Sequence, residues 1–342
     1  MSFSIVDRKM MSRALALAAK GRYTTSPNPT VGCVIAFGDD IVGEGFTRPF
    51  GGNHAEIEAL NQVSEATNSC VYVTLEPCSH EGRTGPCTTA LIKAGVSRVV
   101  IACEDPNPLV AGSGIKLLQE AGIEVECGLL EDQARELNKG FIKRHEHGLP
   151  WVLIKMAASM DGRTAMASGQ SQWVTTPASR KDVQRLRAGS CAIITGIGTQ
   201  LMDDPSLTVK ITGEELGVYD PLIQPLRVVV DSQLQMQASA RMLVQPGKTL
   251  IATLGGDSQR QKAQALIDAG ADVVFLPANG HHIDLQALLV ELAARNCNRV
   301  MVEAGAGLAG AFIAEGLLDE LVCYWAPKLF GSDARPMFDL AI

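Results

Sequence analysis

The 342-residue chain lacks any excess of positive charge: 30 Lys and Arg stand against 37 Asp and Glu, a net charge of −7. A protein whose work is gripping a phosphate backbone needs a basic balance, so nucleic-acid binding is disfavoured. Long apolar runs are missing too. The most apolar uncharged stretch, Ala188 to Met202, falls short of the ~18 residues a membrane span needs, and the opening MSFSIVDRKMM is too polar for a secretory core. Neither a fixed-period repeat nor a low-complexity tract occurs, which removes solenoids and disordered scaffolds. Nor do the cysteines suit an extracellular disulfide framework, since there are nine, an odd number, and Cys33, Cys103, Cys191 and Cys323 lie inside apolar runs. These absences predict a cytoplasmic protein with neither nucleic-acid nor membrane partners. In reducing surroundings its clustered cysteines point to metal or catalysis.

What is present is an ordinary globular composition, 46% hydrophobic and 20% charged, at a length that suggests two domains. Domains of that size bury enough surface to fold without a metal, so a metal site here is more naturally functional than structural. Ser4 to Asp7 has the form of a capping box, and Val6, Met10, Ala14, Leu17 and Ala18 recur at helical spacing. Val31 to Ala36 and Ile41 to Gly45 read as a hairpin turning at Gly38-Asp39-Asp40. Helical and strand patterns then alternate through a helix spanning Glu131 to Arg144, the signature of a layered α/β sandwich. The polar stretch Lys143 to Pro150 is taken as the boundary, giving domains 1–149 and 150–342. Beyond it, strand patterns at Trp151 to Met156, Ala192 to Thr195, Arg227 to Val230, Thr249 to Thr253, Val273 to Leu276, Arg299 to Val302 and Leu321 to Trp325 alternate mostly with helical ones. A largely parallel sheet is expected.

The strongest chemical signal is His54-Ala55-Glu56 followed by Pro77-Cys78 and Pro86-Cys87. One imidazole and two thiolates supply three zinc ligands and leave the fourth tetrahedral position for water. Glu56 lies two residues from a ligand at what reads as a helix start, placed to take a proton from that water so that hydroxide attacks an amidine-like carbon and expels ammonia. His-x-Glu with Pro-Cys-x-x-Cys is the known zinc-deaminase signature, in which two residues separate the cysteines. Here eight residues separate the cysteines, so a loop using Gly82 and Gly85 has to fold back to the metal. A structural zinc with His80 or Cys70 as fourth ligand is the competing reading, but it leaves Glu56 without a role.

With Asn28-Pro29-Thr30-Val31-Gly32, Thr74-Leu75-Glu76-Pro77-Cys78-Ser79-His80, Gly82-Arg83-Thr84 and Asp105-Pro106-Asn107-Pro108, these motifs resemble the bifunctional deaminase-reductases of riboflavin biosynthesis along the whole chain. The resemblance implies a cytidine-deaminase-like α/β/α sandwich followed by a dihydrofolate-reductase-like α/β domain, with Zn2+ and NADPH as cofactors. It implies that the first domain deaminates 2,5-diamino-6-(5-phosphoribosylamino)pyrimidin-4(3H)-one, with Asn28, His80 and Arg83 at the substrate and the Asp105 to Pro108 loop lining the pocket. The second would then reduce the ribosyl chain of the product to ribityl. Gly85 stands where this family more often has proline. A tRNA or nucleoside deaminase with an accessory nucleotide-binding domain, and a zinc-stabilised module that senses NADPH, are the alternatives.

Gly305-Ala306-Gly307-Leu308-Ala309-Gly310 follows a strand and opens a helical pattern, the setting in which backbone amides hold phosphate. No acid follows at the spacing a Rossmann unit requires, so an ordinary Rossmann dehydrogenase is disfavoured. By the resemblance, Ala157, Trp173, Thr199, Asp203, Ser232 and the Gly305 to Ala311 turn, which includes Leu308, Ala309 and Gly310, meet the cofactor. Ser171, Arg187, Leu207, Lys210 and Glu303 meet the phosphorylated substrate. Lys210 replaces a more usual arginine and loses the bidentate grip. The final Pro336 to Ile342 lacks the closing helix and strand such proteins usually carry, so either the chain is shortened or the sheet lacks an edge strand. A homo-oligomer stays open.

Overall fold

The computed structural model describes residues 3–80, 85–108, 110–169 and 174–340. They fall into two compact units, Met1–Gly148 with Gly217–Pro221, and Leu149–Leu216 with Leu222–Ile342.

In the first unit the Ser4 hydroxyl accepts from the Asp7 amide while the Asp7 carboxylate accepts from the Ser4 amide, so α1 (Ile5–Ala18) begins at the capping box. Its buried Met10, Met11, Ala14 and Leu17 join a core centred on the sheet. That sheet runs β2-β1-β3-β4-β5, from β1 (Gly32–Phe37), β2 (Asp40–Phe46), β3 (Cys70–Val73), β4 (Arg98–Ile101) and β5 (Glu124–Cys127). β1 is antiparallel to both neighbours, whereas β3, β4 and β5 are parallel. The helices are α2 (Ala55–Leu60), α3 (Cys87–Lys93), α4 (Ser113–Glu120), α5 (Glu131–Leu137) and α6 (Lys139–His147).

One expectation needs correction. The single helix expected over Glu131 to Arg144 is broken at Asn138, whose φ of −113° separates α5 from α6. The polar stretch taken as the boundary runs through the end of α6, which stops at His147 because Gly148 takes a left-handed φ of 69°. The break between units therefore falls at Gly148 and Leu149.

α2 reaches the sheet unusually closely. A Cβ on Gly45 would lie 2.1 Å from the Ala55 carbonyl oxygen, and one on Gly43 would lie 2.5 Å from that of Ala59. Only glycine permits this approach, and it sets the depth at which the start of α2 rests.

The second unit contains a sheet in the order β11-β10-β9-β8-β14-β6-β15, with every ladder parallel. Its strands are β6 (Trp151–Ser159), β8 (Ala192–Gly196), β9 (Leu226–Val230), β10 (Thr249–Leu254), β11 (Asp272–Leu276), β14 (Arg299–Val302) and β15 (Glu320–Ala326). Two-stranded ribbons pair β7 (Arg163–Ala165) with β16 (Arg335–Pro336), and β12 (Ala278–Asn279) with β13 (His282–Ile283). Helices α7 (Pro177–Ala188), α8 (Ile197–Asp203), α9 (Gly213–Leu216), α10 (Asp257–Asp268), α11 (Leu285–Ala294) and α12 (Ala306–Ala314) connect them. Strands such as Val152-Leu153-Ile154 are buried on both faces, as a covered parallel sheet demands. Among the described residues β15 is an edge strand, with Leu321 and Trp325 exposed.

Candidate active sites

His54 caps α2 in an extended conformation and leaves its ring free of any capping bond. Cys87 is the first residue of α3, and Cys78 follows β3 in a loop. The folded chain brings His54 Nδ1 to 3.5 Å from Cys78 Sγ and 3.3 Å from Cys87 Sγ. These three ligand atoms lie within 4.8 Å of one another. Bond lengths of about 2.0 to 2.3 Å at a tetrahedral zinc place neighbouring ligand atoms roughly 3.5 Å apart, so the donor set fits that ion. His54 would bind through Nδ1. Cys70 is outside this cluster.

The three side chains titrate in one another's field. A hydrogen bond from the Cys87 thiol, together with His54, holds Cys78 below the ordinary thiol range, and the same pairing raises Cys87. The hydrogen bond to Cys78 raises His54. Glu56 is buried, and burial, reinforced by the Cys78 sulfur, pushes its carboxyl up to about 7. A carboxyl poised there exchanges protons near neutral pH.

Glu76, two residues before Cys78, was present in the sequence motif without a role. The structure gives it one. Its Oε1 accepts from the amides of Gly114 at 2.8 Å and Ile115 at 3.1 Å, and its Oε2 from those of Gly112 at 3.0 Å and Asp105 at 3.2 Å. One buried carboxylate thus ties the metal-ligand loop to the start of α4 and to the Asp105 segment. Burial pushes Asp105 up to about 6, and its carboxylate accepts from the Asn107 amide. Asn28 is half-buried ahead of β1 and His80 is exposed beyond Cys78. Arg83 lies outside the described residues, and Gly85 faces open space.

In the second unit the predicted residues gather where β6, β8, β9 and β14 end, the edge at which parallel sheets collect ligands. Ala157 is on β6, Thr199 in the first turn of α8, Ser232 just beyond β9, and Gly305 caps α12. The Thr199 hydroxyl lies 4.0 Å from where a Gly305 Cβ would be, so α8 and α12 begin side by side. Gly307 faces open space, and the amides opening the nine-residue α12 suit a phosphate. Gly310 is different. A Cβ there would lie 2.0 Å from the Asp339 carbonyl oxygen, so this glycine lets the segment at Asp339 cross α12. Asp203 is exposed at the end of α8, while Ser171 and Trp173 lie outside the described residues.

Arg187 and Glu303, read from sequence as separate ligands, form a bidentate pair. Arg187 Nε and Nη2 donate to the two Glu303 oxygens at 2.6 and 2.9 Å, and Nη1 donates to the Thr208 carbonyl at 3.1 Å. Lys155 Nζ approaches Glu303 at 4.0 Å. Although burial opposes it, Arg187 with Lys155 holds Glu303 below the usual carboxylate range. Leu207 is buried at a φ of 45°, and Lys210 is exposed.

Residues 150–341 match the RibD C-terminal domain, and residues 4–103 match the cytidine and deoxycytidylate deaminase zinc-binding region. The riboflavin biosynthesis protein RibD of Escherichia coli strain K12 is 48% identical over 340 residues, 98% of this chain and 91% of its own. The chain belongs to the RibD family. A RibD structure from Acinetobacter baumannii superimposes with a TM-score of 0.89 at 44% identity, covering 98% of this chain and 91% of that one. A Thermotoga maritima diaminohydroxyphosphoribosylaminopyrimidine deaminase/5-amino-6-(5-phosphoribosylamino)uracil reductase does so with 0.85 at 30% identity, covering 97% and 90%. As a RibD-family protein the chain is a bifunctional deaminase and reductase of riboflavin biosynthesis, with zinc and NADPH as cofactors. No helix among the described residues is long and apolar enough to cross a membrane.

Proposed function

We propose that residues 1–149 release ammonia from 2,5-diamino-6-(5-phosphoribosylamino)pyrimidin-4(3H)-one and residues 150–342 reduce the ribosyl chain of the resulting uracil. The observation that carries the first role is the convergence of His54, Cys78 and Cys87 beside the buried Glu56. Zinc held by those three side chains would supply an activated water. Glu56 takes a proton and returns it to the departing amine. Asn28 and the Asp105 to Pro108 segment orient the pyrimidine, with His80 and Arg83 beside it.

In the second domain Thr199, Ala157, Ser232, Asp203, Trp173 and the Gly305 to Ala311 turn receive NADPH, whose nicotinamide supplies hydride. Glu303 fixes Arg187, and the Leu207 to Lys210 segment with Ser171 holds the phosphorylated ribose. Small phosphorylated metabolites and a pyridine cofactor support a cytoplasmic setting with neither nucleic-acid nor membrane partners. The test is to supply the purified diamino substrate with and without NADPH while recording ammonia and cofactor oxidation. Ammonia in both cases, with oxidation only after it, is expected. Oxidation that precedes ammonia would overturn the order.

A further inference from the structure

Two side-chain amides, one in each unit, bond to the main chain in the same unusual way. Asn138 Oδ1 accepts from the Thr30 amide at 2.8 Å while its Nδ2 donates to the Thr30 carbonyl at 2.9 Å. Gln224 Oε1 accepts from the Val209 amide at 2.8 Å while its Nε2 donates to the Val209 carbonyl at 3.1 Å. A residue presents its own N–H and C=O in one direction when it is extended, so each amide replaces the partner strand that its target lacks on that side. The orientation of both amides is fixed, because an N–H requires an oxygen and a C=O requires an NH2.

Neither amide is itself loosely held. Asn138 sits at the break between α5 and α6, where its amide bonds back to Ala134 and Arg135 and its carbonyl receives Ile142. Gln224 packs against Gly247, whose would-be Cβ lies 2.9 Å from the Gln224 Cβ. That turn is gripped by the buried Arg227, which donates to the carbonyls of Gly247 at 2.7 Å, Pro246 at 2.8 Å and Gln245 at 3.3 Å. This accounts for a buried guanidinium with only hydroxyl and carbonyl partners.

The residues held are significant. Thr30 lies two positions after Asn28, and Val209 lies between Leu207 and Lys210. In the second case Arg187 takes the Thr208 carbonyl and Gln184 Oε1 accepts from the Lys210 amide, so three consecutive residues are pinned by side chains. Leu207, immediately before them, keeps its left-handed φ, a conformation that persists only where its surroundings impose it.

We propose that Asn138 and Gln224 are positioning residues: Asn138 sets the substrate-facing Asn28 segment of the deaminase, and Gln224 sets the Leu207 to Lys210 segment of the reductase. The inference rests on the function proposed above. Each half supplies a folding control for the other.

The experiment compares Asn138→Asp and Gln224→Glu in the full chain, which keep shape and acceptor but set an oxygen against the carbonyl. Asn138→Asp should lower kcat/KM for ammonia release by about tenfold to a hundredfold, the cost of a small misplacement, with bound zinc and NADPH oxidation on the deaminated intermediate unchanged. Gln224→Glu should raise the KM for that intermediate by about tenfold while the KM for NADPH and ammonia release stay at wild-type values. Should either variant lose both activities, Asn138→Ser or Gln224→Ser removes the amide without adding charge. Selective loss then supports the proposal, and equal loss of both overturns it. Wild-type kinetics in the variants would also overturn it, leaving the proposed function intact. A wild-type chain inactive on both substrates would instead remove the function itself.

Discussion

In the first unit the reactive groups converge on a point, three ligand atoms within 4.8 Å with a buried carboxylate two residues along the chain. In the second they lie along an edge, at the ends of four parallel strands and the starts of two adjacent helices. The convergent site depends on a few side chains whose chemistry few residue types supply. On the proposed reading the extended one uses main-chain amides, helix starts and the ion pair of Arg187 with Glu303. Chemistry at a metal concentrates function, whereas holding a long phosphorylated substrate and a dinucleotide spreads it.

The sharpest way to break this comparison is Glu56→Gln. Removing one proton carrier from a convergent site should lower ammonia release by about a hundredfold to ten-thousandfold, with zinc content and NADPH oxidation on the intermediate unchanged. Ammonia release at the wild-type rate would place the proton carrier elsewhere. Next in size is Arg187→Met, which leaves Glu303 with only the more distant Lys155 at a site where the side chains are largely buried. Urea unfolding should show about 3 to 5 kcal/mol lost from the second unit, together with NADPH oxidation. A chain of two units need not unfold in a single transition, so each unit has to be followed by its own probe.

Glu76→Gln should cost less, about 1 to 3 kcal/mol in the first unit, because an NH2 then faces amides that need an acceptor. Thermal unfolding in the presence of excess zinc measures it. An unchanged transition would mean the four amides find other partners.

The smallest effect concerns acid. Burial raises Asp7, but Arg98, with hydrogen bonds from Ser4 and Tyr72, outweighs it and holds the carboxyl well below its usual range. A carboxyl lowered on folding adds stability above its unfolded value, near pH 4, and loses it as pH falls further. Asp7→Asn should therefore be less stable than the wild type at pH 7, and the gap should begin to narrow below about pH 4 and vanish only as the pH falls through the carboxyl's depressed folded value. A gap independent of pH would assign the loss to packing.

The zinc site was legible in the sequence because its residue types carry their chemistry visibly: His54, Cys78, Cys87 and Glu56 have few other common reasons to share such spacing. The parallel sheet was legible because strands buried on both faces are written as apolar runs. Glu76 stayed silent since its four partners are backbone amides, which any sequence has. Asn138 was hidden inside a helical pattern, and only the fold shows that the helix breaks there. Gly310 carries a demand that its motif did not show, since a glycine required by a crossing chain looks the same in sequence as one required by a phosphate. Sequence shows what a side chain can do, and it conceals what a backbone has to avoid.

The close seat of α2 on β2 bears on how variants of this enzyme are interpreted. Gly43 and Gly45 carry no chemistry and touch no ligand, yet a methyl group at either would lift the helix whose first turn presents His54 and Glu56. A substitution there would be scored as a tolerable strand change by residue type, and its carriers would be expected to keep riboflavin synthesis. The backbone distances indicate the reverse, a protein with an intact reductase whose metal ligand is held at the wrong height.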